Sequence, residues 1–239
     1  MNRVDKQSTH NGFTIIELLL AMTFVSVLLL AIAVMVIQIG NVYNKGLTMR
    51  AVDQAGRLVS ADVQQALGQT QPLALETAYV LQRTSGSSLS DSPEGGRLCT
   101  GSYTYIWNFG IALEEQRYRP INKFVDSDEE IRFVRIRDAG GQYCSNLTAP
   151  IESARATEIL ASGDRNLALH EFTIRELAKD VALGQALYGI TMKIGTNDQS
   201  ALTTIDASCK PPSDDDALQE YCAVNVFDFT AQAGNKGVQ

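Results

Sequence analysis

From Leu18 to Tyr43 the chain contains no Asp, Glu, Lys, Arg or His, although the rest of its 239 residues is ordinarily polar. As a helix rising about 1.5 Å per residue, Ile15 to Ile37 is roughly 34 Å long, enough to cross a hydrocarbon layer of about 30 Å. A buried core helix seldom needs so long a run. The sequence therefore predicts a membrane-spanning helix over residues 13–39, an amphipathic stem helix over residues 40–70 and a head over residues 71–239.

The segment before the run, residues 1–12, carries Arg3 and Lys6 against a single Asp5, which favours retention on the cytoplasmic side. A secretory signal would place a small-residue cleavage site after its apolar stretch. Here no A-x-A pattern follows, and the small residue stands in front, in Gly12-Phe13-Thr14-Ile15-Ile16-Glu17-Leu18. A carboxylate at Glu17 is costly in hydrocarbon unless it lies near the interface or finds a partner, so it is a functional candidate. Its plainer role is to set a negative charge in the first helical turn, where the helix dipole favours one.

The Gly, the Phe, the Glu four residues after it and the apolar run together resemble the N-terminus of type IV prepilins and pseudopilins. The resemblance implies a leader at residues 1–12, cleavage by a prepilin peptidase between Gly12 and Phe13, and N-methylation of Phe13. It implies that Glu17 helps dock the subunit onto a growing filament. The implied partners are the peptidase, other pilin or pseudopilin subunits, the inner-membrane assembly platform and membrane lipid, with no cofactor. The implied location is the cell membrane, crossed once with the head outside the cytoplasm, and then a pilus or pseudopilus. Arg57-Leu58-Val59-Ser60-Ala61-Asp62-Val63-Gln64-Gln65-Ala66 loosely resembles the stem of J-type pseudopilins and W-type minor pilins, which points to a minor or priming subunit.

Beyond the run, Leu47, Ala51, Ala55, Leu58, Val59, Val63, Ala66 and Leu67 recur at three- and four-residue spacing, with Arg50, Asp53 and Arg57 on the other side. No Pro occurs between Phe13 and Gln71, so one helix can run from the apolar segment into the stem. After Pro72 the period changes to two. Residues 103–109 and 188–195 alternate as strands, with shorter candidates at 78–83, 130–137, 167–175 and 222–229. Residues 152–160 read as a short helix, residues 176–186 as a helix or a hairpin loop, and Gly95-Gly96 and Gly140-Gly141 as turns. Without regularly alternating crossover helices the sheet is expected to be antiparallel, in an α+β head. A long N-terminal helix packed on such a sheet is also the pilin-like fold that the resemblance implies.

Cys99, Cys144, Cys209 and Cys222 all lie beyond the apolar run, and an even count in an oxidising compartment favours disulfides. Four cysteines allow three pairings, which the sequence leaves open. The resemblance favours a bridged loop near the C-terminus, Cys209 with Cys222, leaving Cys99 with Cys144. No C-x-x-C occurs and no His lies nearby, which argues against zinc. Asp214-Asp215-Asp216 reads first as a solvated loop and only secondarily as a Ca²⁺ site.

The formal charge is −7, the sequence pI is about 4.9 and Lys and Arg are dispersed, so nucleic acid is not an expected ligand. Arg132, Arg135 and Arg137 form the one candidate basic patch. Of the two histidines, His10 lies in the leader and His170 falls in a strand pattern, so no nucleophile and base can be named and an enzyme is not expected. A permanently anchored single-pass protein with an outer binding domain is the alternative to a filament subunit.

Overall fold

The computed structural model describes residues 13–83, 93–114, 119–160, 165–198, 200–204, 206–214, 217–218 and 220–234. Helix α1 (Ile15–Gly68) is followed by α2 (Leu75–Ala78), β1 (Tyr79–Gln82), β2 (Gly95–Cys99), β3 (Tyr103–Asn108), β4 (Phe133–Arg137) and α3 (Gln142–Ser145). Then come β5 (Ala156–Glu158), β6 (Leu167–Asp180), β7 (Gln185–Thr196) and β8 (Val224–Ala233). The chain divides into two compact units, at Tyr43 and Asn44.

In the first unit every side chain from Phe13 to Ile39 is exposed. Among the described residues of this unit no side chain up to Ile39 is buried, so this half of the helix gains no hydrophobic stabilisation from packing in water. What holds its polar groups is local: the Thr23 hydroxyl donates to the Leu20 carbonyl at 2.9 Å and the Ser26 hydroxyl to the Met22 carbonyl at 2.8 Å. Folding hydroxyls back onto the same helix leaves an outer surface that is almost wholly hydrocarbon.

In the second unit the remainder of α1 lies on antiparallel sheets, a pilin-like α+β arrangement. Thr48, Val52, Ala55, Gly56, Val59, Val63, Ala66 and Leu67 form its buried face. This stripe is rotated slightly from the one the period suggests, because Leu58 is 55% exposed and Gly56 is buried in its place. The cause is visible at Gly56, where an added Cβ would stand 2.1 Å from Cζ of Phe227. A bare backbone admits the ring; Leu58 turned inward would not. Asp53 accepts a hydrogen bond from Asn225 on β8 at 2.9 Å, and Gln64 donates to the Thr230 carbonyl at 2.9 Å.

The head has two antiparallel sheets where one was expected, a five-stranded β1-β2-β3-β4-β5 and a three-stranded β6-β7-β8. A parallel bridge between Phe109 and Leu169 joins them. Tyr105, Trp107 and Phe133 meet Val63, Leu67 and Phe172 in the main core, with Trp107 and Phe172 ring centroids 4.8 Å apart. The opposite face of the first sheet is also covered: Ile106, Val134 and Ile136 pack with Tyr143, Ala149 and Ile151. Consequently β3 is buried on both sides, not one. Asn108 is tolerated there because its amide donates to the Asn122 and Ile131 carbonyls, both at 2.8 Å, and its Oδ1 accepts from the Asn122 amide at 2.9 Å.

Two local expectations are corrected, and a third, left between a helix and a hairpin loop, resolves to the hairpin. Gly95 and Gly96 lie inside β2, paired with Asn108 and Trp107, instead of forming a turn. A Cβ at Gly96 would come within 2.5 Å of the Trp107 indole, so glycine here makes room for the largest core side chain. Residues 152–160 hold a single 3-10 turn, Ser153–Arg155, and then β5. Residues 176–186 continue β6 and β7 as a long hairpin with a bulge between Glu176 and Ala178 and a turn closed by Gly184 at φ 62°.

Candidate functional site

The first site begins where α1 starts. Gly12 lies outside the described residues; Phe13 is 87% exposed and precedes the helix. Thr14 is the cap. Its backbone N–H and its hydroxyl each donate to Glu17 Oε2 at 2.9 Å, and the Glu17 N–H donates back to the Thr14 hydroxyl oxygen at 3.3 Å. This reciprocal capping box satisfies two donors that a helix start otherwise leaves open. Glu17 is thus hydrogen-bonded within its own first turn, and the helix begins behind Phe13. The Thr-x-x-Glu spacing that marks such a box is legible in the sequence at Thr14 and Glu17.

Two disulfides organise the head. Cys99 of β2 is bonded to Cys144 of α3, with Cα atoms 6.2 Å apart, and Cys209 is bonded to Cys222 at 5.8 Å. Beside the first, Arg97 sends a buried guanidinium to the Tyr143 carbonyl at 2.7 Å, the Leu147 carbonyl at 2.8 Å and Asn122 Oδ1 at 3.0 Å. Burial pulls this group down to about 10, so it remains a cation at neutral pH, stabilised by carbonyl dipoles. Asp138 caps α3. Burial opposes ionisation there, but donors from the Tyr143 amide, the Thr104 hydroxyl and the Gln142 amide outweigh it and hold the carboxyl below its ordinary value.

The second disulfide closes a loop that returns to the stem. Leu202 bridges to Cys209, and Ala201, Leu202 and Cys222 form a small apolar cluster. Lys45 then donates from Nζ to the Cys222 carbonyl at 3.0 Å. No sequence signal marks that contact, because a lysine next to an apolar run reads equally well as a solvated charge. Asp214 is exposed, and Asp215 and Asp216 lie outside the described residues. Among the described residues no group of three or more His, Cys, Asp or Glu is arranged to hold a metal ion.

The candidate basic patch does not form as a continuous surface. Arg135 pairs with Asp62 of the stem and lies over the Tyr103 ring at 4.9 Å, while Arg132 pairs with Glu130 at 2.6 Å and donates to the Leu167 carbonyl. Only Arg137 stands free in solvent by exposure. Tyr105 donates to the same Asp62 at 2.6 Å; burial first, and then that carboxylate, push its hydroxyl far above the ordinary range. Asp62 therefore ties the stem to β3 and β4. His170 is packed against Gly110, and its Nε2 lies 3.1 Å from the Thr196 carbonyl. Burial lowers it to about 4 and keeps it neutral, so Nε2 carries the donated proton. Between Gly110 and the Thr196 carbonyl the ring fills space in the strand layer. Comparison with known proteins finds no matching family model, no matching curated protein and no matching solved structure.

Proposed function

We infer that this chain is a type IV pilin-like or pseudopilin subunit, a structural and assembly protein without catalytic chemistry. One observation carries the reading. A single helix, Ile15–Gly68, is bare hydrocarbon over its first half and amphipathic over its second, where it packs on an antiparallel head. The bare half has two uses for one surface: it is soluble in a bilayer, and it can be covered by the same segment of neighbouring subunits when lipid is left behind. Glu17, the lone acid at the start of that segment, is the docking group in this reading.

The reading extends to a prepilin peptidase that cuts between Gly12 and Phe13 and methylates Phe13, to other pilin or pseudopilin subunits, and to an inner-membrane assembly platform. The head, with two disulfides, belongs outside the cytoplasm. The loose J-type and W-type likeness of the stem segment 57–66 favours a minor, priming component in this reading. The N-terminal sequence of the protein recovered from its host tests the core of this. Methylated Phe13 as first residue is the expected result; a chain still beginning at Met1 assigns a permanent single-pass anchor instead.

A further inference from the structure

Strand β8 runs for 10 residues at one end of its sheet, and among the described residues its only ladder partner is β7. In an antiparallel ladder alternate residues turn both backbone groups away from the partner strand. On β8 these include Val226, Asp228 and Thr230, which stand opposite Lys193, Thr191 and Gly189 of β7. Their outward direction shows in what they bond. The Thr230 carbonyl accepts from Gln64 of the stem at 2.9 Å, outside the ladder. The Val226 N–H donates to Oδ1 of Asn225 at 2.9 Å, and Asn225 is itself held by the Asp53 carboxylate of the stem at 2.9 Å. Just past the strand, the Gly234 N–H donates to the Thr70 carbonyl at 2.7 Å. A long open edge is a template for another chain, and here several of the groups that would serve it are already engaged.

The two closed groups are complementary to each other. When a second β8 is set antiparallel to the first about a two-fold axis at Asp228, Val226 of each copy falls opposite Thr230 of the other. The N–H of one then meets the carbonyl of the other. The same register sets Asp228 directly across from Asp228, and like charges so placed destabilise a strand pair. Asp228 is exposed and fixed on the strand by the Thr191 hydroxyl, which donates to it. We propose that the outer edge of β8 is a pairing surface for the same strand of a second copy, held shut by Gln64, Asn225 and Asp228. The occupant is a second copy because the register is self-complementary: one side chain blocks the donor, one blocks the acceptor of the same intermolecular bond, and the acid sits on the axis. The consequence is a head that stays unpaired by strands at high local concentration, which leaves association to other surfaces. That closure lies wholly within the second unit and is independent of the filament reading.

Sedimentation equilibrium of the full chain in maltoside micelles, with its disulfides intact, tests this. Removing the three closures together, as Gln64→Ala with Asn225→Ala and Asp228→Asn, is expected to tighten self-association at least about tenfold over the wild type. Association through the apolar helix is common to every variant and cancels in that ratio. Amide exchange locates the gain: the N–H at position 228, which the β7 ladder leaves facing outward, should become protected in the associated variant. Val226→Pro added to the same background deletes the N–H that the pairing needs, on the side away from the β7 bonds, and should return association to the wild-type level. Unchanged association of the triple variant overturns the proposal. So does a gain that Val226→Pro leaves in place, because another surface then carries it. Gln64→Ala alone alters one exposed side chain of the stem and decides the matter if the triple variant does not fold. It is expected to tighten association about threefold, the worth of part of one hydrogen bond, and no change refutes the closure.

Discussion

Two glycines of α1 separate what a backbone needs from what packing needs. At Gly46 an added Cβ meets nothing within 4 Å, whereas at Gly56 it meets the Phe227 ring. Gly46→Ala is therefore expected to raise head stability by up to about 1 kcal/mol, the helix-propensity difference. Gly56→Ala gains the same propensity but displaces a ring, and overpacking of about 1–3 kcal/mol wins. Chemical denaturation of the two variants should give opposite signs, and Phe227→Ala should shrink the cost at Gly56. His170 gives the second residue-scale expectation. A histidine lowered from 6.5 to about 4 binds fewer protons folded than unfolded, so the stability it contributes is intact above pH 6.5 and is lost as pH falls toward 4. The loss approaches about 1.4 kcal/mol per pH unit. Glu158, raised by burial, acts in the opposite sense at the lower end of that window. The difference between wild type and His170→Gln, followed by urea denaturation from pH 7 to 4, isolates the histidine; equal slopes would show that its ring titrates normally. Residue types announced both positions only in part. His170 was legible as a strand residue, but Gly56 and Phe227 are 171 residues apart and no local pattern links them.

At the scale of elements, α1 and the longest strands were legible because each has a period of its own, 3.6 or 2, sustained over several turns or pleats. The strands that escaped were β2, which begins with two glycines, and β5, which is three residues long. Their existence depends on β3 and β4 lying beside them, information that alternation within one segment does not hold. The pairing of β2 with α3 shows the same dependence. Arg97 and Cys99, two residues apart on β2, both fasten the segment after β4, one through carbonyl acceptors and one through Cys144. Arg97→Met is expected to cost about 3 kcal/mol, because several buried carbonyls lose their donor together. Arg97→Lys should rescue little, since an ammonium cannot reproduce the planar fork. Removing the Cys99–Cys144 bridge by a double Ala substitution should cost about 4 kcal/mol in the chain-entropy view of a loop that long. As both devices order one segment, the combined variant should lose less than the sum. Full additivity in denaturant midpoints would mean that the cation and the bridge hold independent structure.

At the scale of the whole molecule the question is what the lone acid of the apolar segment is for. In the chain as it stands Glu17 is not idle, because it closes the capping box with Thr14. A helix cap alone, however, does not require a charge: Gln serves the same position in a capping box, with its side-chain oxygen accepting from the Thr14 amide. Assembly in the proposed reading does require one, since only a carboxylate can neutralise an ammonium created at Phe13 away from water. Glu17→Gln therefore separates the two roles. Leader removal, followed by the mass of the protein, should proceed at the wild-type rate because the start of the helix is preserved. Incorporation into filaments should drop at least about tenfold, the equivalent of about 1.4 kcal/mol in one contact. Thr14→Val is the complementary change: it deletes the hydroxyl of the cap at about 1 kcal/mol of helix stability and leaves the carboxylate charged. It should be processed and should still assemble. The reverse pattern, filaments from Glu17→Gln and none from Thr14→Val, would make the position of the helix start the determinant of assembly and would remove the charge from the mechanism.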